Sequence, residues 1–170
     1  MQITRYASLS EPQFMGCVSA FADSLTGELN SAAMYLRKLE GQAKGAAFAY
    51  EISLDRHRYG ALTVLDRWGA LVAAFGPHLE LSRYSAIVAE APSRLRSAEA
   101  ILERANQLID AAGVYSSDVV EACVLAFQSL AATFAEERQA ATRSAQLGPM
   151  LPDEFKQARG IFLHDLAARQ

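Results

Sequence analysis

Residues 56–75, RHRYGALTVLDRWGALVAAF, leave the chain little choice of architecture. Leu62, Leu65, Val72 and Phe75 recur at helical steps, as on one face of a helix. Val64, Trp68 and Leu71 form a second apolar row on an adjoining face, and only Arg56, Arg58, Asp66 and Arg67 are charged. A helix apolar on two faces has to be covered by neighbours, so this stretch predicts the core helix of a bundle.

The flanking sequence supplies those neighbours. Ser10-Glu-Pro-Gln13 reads as a helix start, with Ser10 as N-cap, Pro12 in the first turn and Gln13 at the capping-box position. Phe14, Val18, Phe21 and Leu25 follow on one side, and a second pattern over residues 24–39 carries Leu25, Leu29, Ala32, Ala33, Leu36 and Leu39. Residues 48–53, FAYEIS, alternate apolar and polar and are the best strand candidate. Gly76-Pro77 stops the central helix, and a short helix over residues 78–90 precedes a break at Ala91-Pro92. Leu95, Ala98, Leu102, Ala105, Ile109 and Ala112 then make a seam closed by Gly113. From Asp118 a long helix turns Val120, Cys123, Val124, Phe127, Leu130, Ala131 and Phe134 inward before fraying into the polar run 136–144. A last helix after Pro152 carries Phe155, Phe162 and Leu166. The sum is an all-α fold in one domain over residues 1–170. It is an antiparallel four-helix bundle with a short additional C-terminal helix and room for a minimal outer β-segment.

The chemistry the sequence lacks is as informative. His57, His78 and His164 pair with no second His or Cys at a metal-ligand spacing, and no Glu-x-x-His pair occurs, so no metal or cofactor is expected. No phosphate-binding glycine loop, nucleophile elbow or Cys-x-x-Cys is present, and the expectation is a protein without catalysis. Cys17 and Cys123 sit among apolar neighbours and read as buried thiols, which fits an intracellular origin. No run of about eighteen apolar residues suggests a membrane span. Residues 1–9 carry Arg5 without the apolar core of a cleavable signal.

A net charge of −3 argues against coating a duplex by bulk charge, but it permits a local arginine cluster. Arg83, Arg94, Arg96 and Arg104 surround the turn expected at Pro92, where arginine can meet phosphate without reading bases. Glu80, Glu90, Glu99 and Glu103 share the region, with Glu99 and Glu103 one helical turn apart as like charges.

Three colinear segments resemble the coat proteins of rod-shaped single-stranded RNA plant viruses of the tobacco mosaic virus type. Gln13-Phe14, then Ser19-Ala20-Phe21-Ala22-Asp23, is similar to the family's amino-terminal pattern at ungapped spacing. Arg58-Tyr59, Val64-Leu65-Asp66 and Ala73-Ala74-Phe75 resemble its Arg-Tyr, Val-Leu-Asp and Ala-Phe pattern along a bundle helix. Asp118 and Ala126-Phe127-Gln128-Ser129-Leu130 lie where its other long helix begins. The segment between Asp23 and Arg58 is shorter than in tobamoviruses, the family's paired arginines reduce to Arg83, and its Phe-Glu becomes Phe155-Lys156.

The resemblance implies a coat subunit that self-assembles into helical rods and encapsidates single-stranded RNA, in the virion and in host cytoplasm during assembly. With RNA implied, the arginines read independently around the Pro92 turn, Arg83, Arg94, Arg96 and Arg104, are the expected RNA contacts, and Glu99 and Glu103 are read from their spacing as candidate carboxylates between subunits. Read without the family, the Ala-, Arg-, Leu- and Gly-rich composition also suits a small bacterial cytoplasmic binding module such as a secretion chaperone or adaptor.

Overall fold

The computed structural model describes residues 10–75, 85–145 and 150–169. Ser10 caps the first helix as its sequence predicts. Its Oγ accepts from the Gln13 N–H at 3.4 Å, and Gln13 Oε1 accepts from the Ser10 N–H at 3.0 Å. This helix, α1, runs unbroken over Glu11–Leu39, so the two patterns read on either side of residue 24 are one element. Phe21, Leu25 and Leu29 bury one continuous row across that join.

The strand expected at residues 48–53 is helix: α2 spans Phe48–Phe75. A local cap overrides the short alternation. The Glu51 carboxylate accepts from the backbone N–H groups of Gly45 at 2.8 Å and Ala47 at 3.2 Å, satisfying donors that a helix start leaves open. Gly45 has φ +91, a conformation that glycine adopts without strain.

The break expected at Ala91-Pro92 is also absent. α3 runs over Ser85–Ala112 with Pro92 inside it. A proline there forfeits the bond to the Val88 carbonyl and costs ~3 kcal/mol. Ile87, Ala91, Ala98 and Leu102, buried on both sides of Pro92, hold the helix together against that cost. Gly76-Pro77, His78 and the remainder of the predicted short helix up to residue 84 lie outside the described residues.

α4 (Ser117–Ala145) does not fray at residue 136, because Ala140 and Ala141 are buried against the bundle. All seven residues expected inward on it are buried. Residues 117–143 are long and apolar enough to cross a membrane by length and composition, and here they pack against α1 and α3. α5 covers Pro152–Ala168 and buries Phe155, Phe162 and Leu166.

Cross-helix contacts fix the directions. Tyr35–Tyr50, Glu28–His57 and Phe14–Phe75 step in opposite senses along α1 and α2. Arg37–Glu121 and Asp23–Arg138 do the same for α1 and α4, as Cys123–Ala105 and Arg94–Glu136 do for α3 and α4. α2 also touches α3, which closes a ring of four antiparallel helices, and α5 lies outside against α2. Among the described residues the β-pairing present is one isolated antiparallel bridge, Ala43 to Val114, which ties the α1–α2 loop to the α3–α4 loop. Tyr115 donates its N–H to the Gln42 carbonyl and its carbonyl accepts from Gly41, whose φ is +82.

At the opposite end Phe14 meets Phe75 and Phe162 at 5.3 Å and Phe155 at 5.6 Å, so four rings join α1, α2 and α5. Trp68, fully buried, stands edge-on to Phe134 at 5.6 Å. Trp68 and Phe75 are therefore core residues, with no face open for a base. Phe75→Ala should cost ~3–5 kcal/mol and lower the midpoint of urea unfolding accordingly. A variant that unfolds like the parent would show that the four rings do not act as one packed unit.

Candidate functional site

Arg94 was expected to face phosphate, and its guanidinium is already occupied. Nη1 donates to Glu136 Oε2 at 2.7 Å and to the Thr133 carbonyl at 3.3 Å. Nη2 donates to Glu90 Oε2 at 2.7 Å, and Nε stands 3.2 Å from Glu137 Oε1. The arginine therefore staples α3 to α4. With α3 continuous there is no turn for it to crown, which corrects the expectation built on Pro92. Arg83 lies outside the described residues. Arg96 and Arg104 are exposed on α3 with no ion pair to another described side chain, and the structure does not gather them with Arg94. Glu99 and Glu103 are exposed on the same helix, where Gln107 donates to Glu103 at 3.4 Å.

Among the described residues the buried carboxylate is Glu137, only 2% exposed. Burial pushes its pKa up to about 7; Arg94 opposes the shift, and the charges of Glu90 and Glu136 add to it. Its Oε2 has no hydrogen-bond partner among the described residues. The sequence held a signal for this position. Glu137 continues the inward row Phe127, Leu130, Phe134 at the next step of three, with Ala141 at the step after.

Among the described residues the histidines and cysteines assemble no centre. His57 Nδ1 is 2.7 Å from Glu28 Oε2 and its ring stacks on Tyr35, while His164 is exposed. Cys123 is buried, donates its thiol to the Ala105 carbonyl at 3.3 Å, and has its pKa raised by burial. Cys17 is half-buried, and both are free thiols. Among the described residues no group of three His, Cys, Asp or Glu side chains could hold a metal ion.

What the sequence reading missed is a surface. Phe48, Ile52, Tyr59 and Leu62 line the outer face of α2 and are 73%, 51%, 74% and 43% exposed. Leu62, expected in the core row with Leu65, belongs to this stripe, because the three-residue step to Leu65 turns the helix 60° short of a full circle. The stripe covers about 21 Å of helix at 1.5 Å per residue. Arg56 and Asp66, both exposed and without an ion-pair partner among the described residues, border it with opposite charges. No family model, curated protein or solved structure matches the chain.

Glu137 makes stability depend on pH with a definite sign. Its folded pKa lies above the ordinary 4.5, so between that value and about 7 the folded chain holds a proton that the unfolded chain releases. Its contribution is complete at low pH and is lost as pH rises through 7. Circular dichroism melts at pH 5.5 and pH 8 should show a lower melting temperature at pH 8. Glu137→Gln should reduce that gap, and an unaltered gap would remove Glu137 as its source. Arg94→Ala, which leaves the buried carboxylate without its cation, should lower the melting temperature at pH 8 more than at pH 5.5.

Proposed function

We propose that this chain is a structural subunit that assembles with copies of itself into a coat around single-stranded RNA. The observation that carries the self-assembly part of this reading is the apolar stripe on α2; the RNA part comes from the sequence resemblance. Four large side chains stand in solvent over four turns of a helix whose other face is fully used by the bundle. Phe48 and Ile52 on one side of the exposed Asp55, and Tyr59 and Leu62 on the other, present apolar surface of the kind that marks protein contacts. The occupant we assign is another copy of the chain, because Arg56 and Asp66 let each copy supply the counter-charge the other lacks. An all-α bundle without a metal-binding group among its described residues suits a scaffold role.

The three segments that resemble rod-forming coat proteins support the same reading. Phe14, Phe21, Ala22, Val64, Leu65, Ala74 and Phe75 are core, while Tyr59 of the Arg58-Tyr59 pair stands on the stripe. The arginines assigned to RNA from the sequence reduce, among the described residues, to Arg96 and Arg104.

Sedimentation velocity between pH 5 and pH 8, with negative-stain electron microscopy and the 260/280 nm absorbance ratio of the purified protein, tests this. Large ordered assemblies that carry nucleic acid are expected. Tyr59→Glu with Leu62→Glu, both at exposed positions, should leave helicity intact and reduce the particles to single subunits. A parent chain that stays monomeric at every pH, with and without RNA, would refute the reading.

A further inference from the structure

The stripe on α2 has a symmetry of its own. Phe48, Ile52, Asp55, Tyr59 and Leu62 follow at steps of four, three, four and three, so they lie on one line that runs nearly along the helix axis. Asp55 and Arg56, both exposed, stand at its middle, with Phe48 and Ile52 on one side and Tyr59 and Leu62 on the other. From either end the order is apolar, apolar, charged, apolar, apolar. A line that reads alike in both directions matches itself when a second copy is laid against it in antiparallel sense.

The two central charges are opposite, and both are available. The Asp55 side chain is 75% exposed, and within the chain it meets Arg58 at 3.4 Å. An exposed pair of that length contributes little and leaves Asp55 open to a second cation. Arg56 makes no ion pair with a described side chain. Farther along the same line stands Gly69, and there α2 is already covered. A Cβ added at Gly69 would lie 3.0 Å from Nη1 of Arg169, at the end of α5. The open length of α2 is therefore centred near Asp55 and Arg56.

We propose that α2 packs antiparallel against α2 of a second copy, about a two-fold axis that passes between Asp55 and Arg56. This rests on the reading of the chain as a self-assembling subunit and fixes the orientation and register of its partner. Positions equally far from the axis lie level in the two copies. Arg56 of each copy meets Asp55 of the other, so the axis carries two reciprocal ion pairs. Ile52 lies level with Tyr59 of the second copy, and Phe48 with the turn that holds Leu62 and Thr63. Asp66 stands at the edge of the contact, level with the second copy's α1–α2 loop. Sliding one copy by a helical turn would set these charges against apolar side chains, so the central pairs specify the register, as a polar residue does in a coiled-coil seam. A two-fold contact closes on itself. The dimer is then the unit of any larger assembly, and growth beyond it uses other surfaces.

Sedimentation velocity of the full chain at pH 8 over a range of concentrations, with complementary charge changes, tests the arrangement. Arg56→Glu turns each ion pair into two facing carboxylates, and Asp55→Arg turns each into two facing guanidinium groups. Either variant alone should raise the dimer dissociation constant at least about tenfold. Mixed one to one, the two variants should dimerise with parent-like affinity, because each copy again supplies the charge the other needs. Recovery on mixing also shows that both variants are folded, and far-ultraviolet circular dichroism of each should match the parent. Parent-like dimers of Asp55→Arg, or a mixture of folded variants that stays dissociated, overturn the two-fold register. A parent that dimerises and obeys the charge pattern but forms no larger particle with RNA keeps this contact and removes the coat reading. A parent that builds rods whether or not residues 55 and 56 are changed keeps the coat reading and removes this contact. A parent that is monomeric at every concentration removes both.

Discussion

Everything in this molecule leans on the burial of α1 between α2 and α4. Leu25, Leu29, Ala32, Leu36 and Leu39 are sealed from solvent along one helix, and no two-helix contact can cover a face that wide. Small side chains make the approach possible. Ala32 on α1 and Ala61 on α2 are fully buried, and a Cβ added at Gly60 would stand 2.8 Å from the carboxyl end of the Glu28 side chain. Once α2 commits its inner face to α1, its outer face is left to water.

The fold was legible wherever apolar residues recurred at helical spacing over many turns. The α4 row from Val120 to Phe134, the Ser10 cap and the aromatic residues of α5 all behave as their spacing implies. Short-range punctuation misled. Six alternating residues at 48–53 look like a strand because nothing local shows Glu51 reaching back to Gly45 and Ala47. Pro92 looks like a stop because the sequence does not display the buried Ile87 and Ala91 that carry the helix through it. Among candidate functional residues, composition could suggest arginine near phosphate but not which arginines were already paired. Arg94 and Glu136 are 42 positions apart, and only the antiparallel register of α3 and α4 brings them together.

Arg94 and Glu137 show how a charged pair can sit at a core position of a helix bundle. Replacing Glu137 by an aliphatic residue would continue the α4 row without interruption, and burying an ion pair costs about as much as it returns. What the pair adds is registry. An arginine that must reach Glu90 on its own helix and Glu136, Glu137 and the Thr133 carbonyl on the next can do so at one offset of the two helices. A helix containing proline two residues earlier has a weakened backbone at that point, and such a fastening keeps the two helices aligned where main-chain bonding is poorest.

The tie between Met150 and Glu11 bears on how the chain reaches this state. The Met150 N–H is held by the Glu11 carboxylate, and Phe14 receives its ring partners Phe155 and Phe162 from the helix just beyond. These contacts join the first described turn of the chain to its last fifth. On a ribosome that releases roughly 5–20 residues per second, the aromatic end of α1 is in water for many seconds before α5 exists to close over it. Topology of this kind slows folding, because distant segments must be ordered before their contacts repay the cost. During that interval a nascent chain presents an open phenylalanine cluster to neighbours on the same message, and the timing of α5 decides whether those rings find their own chain or another.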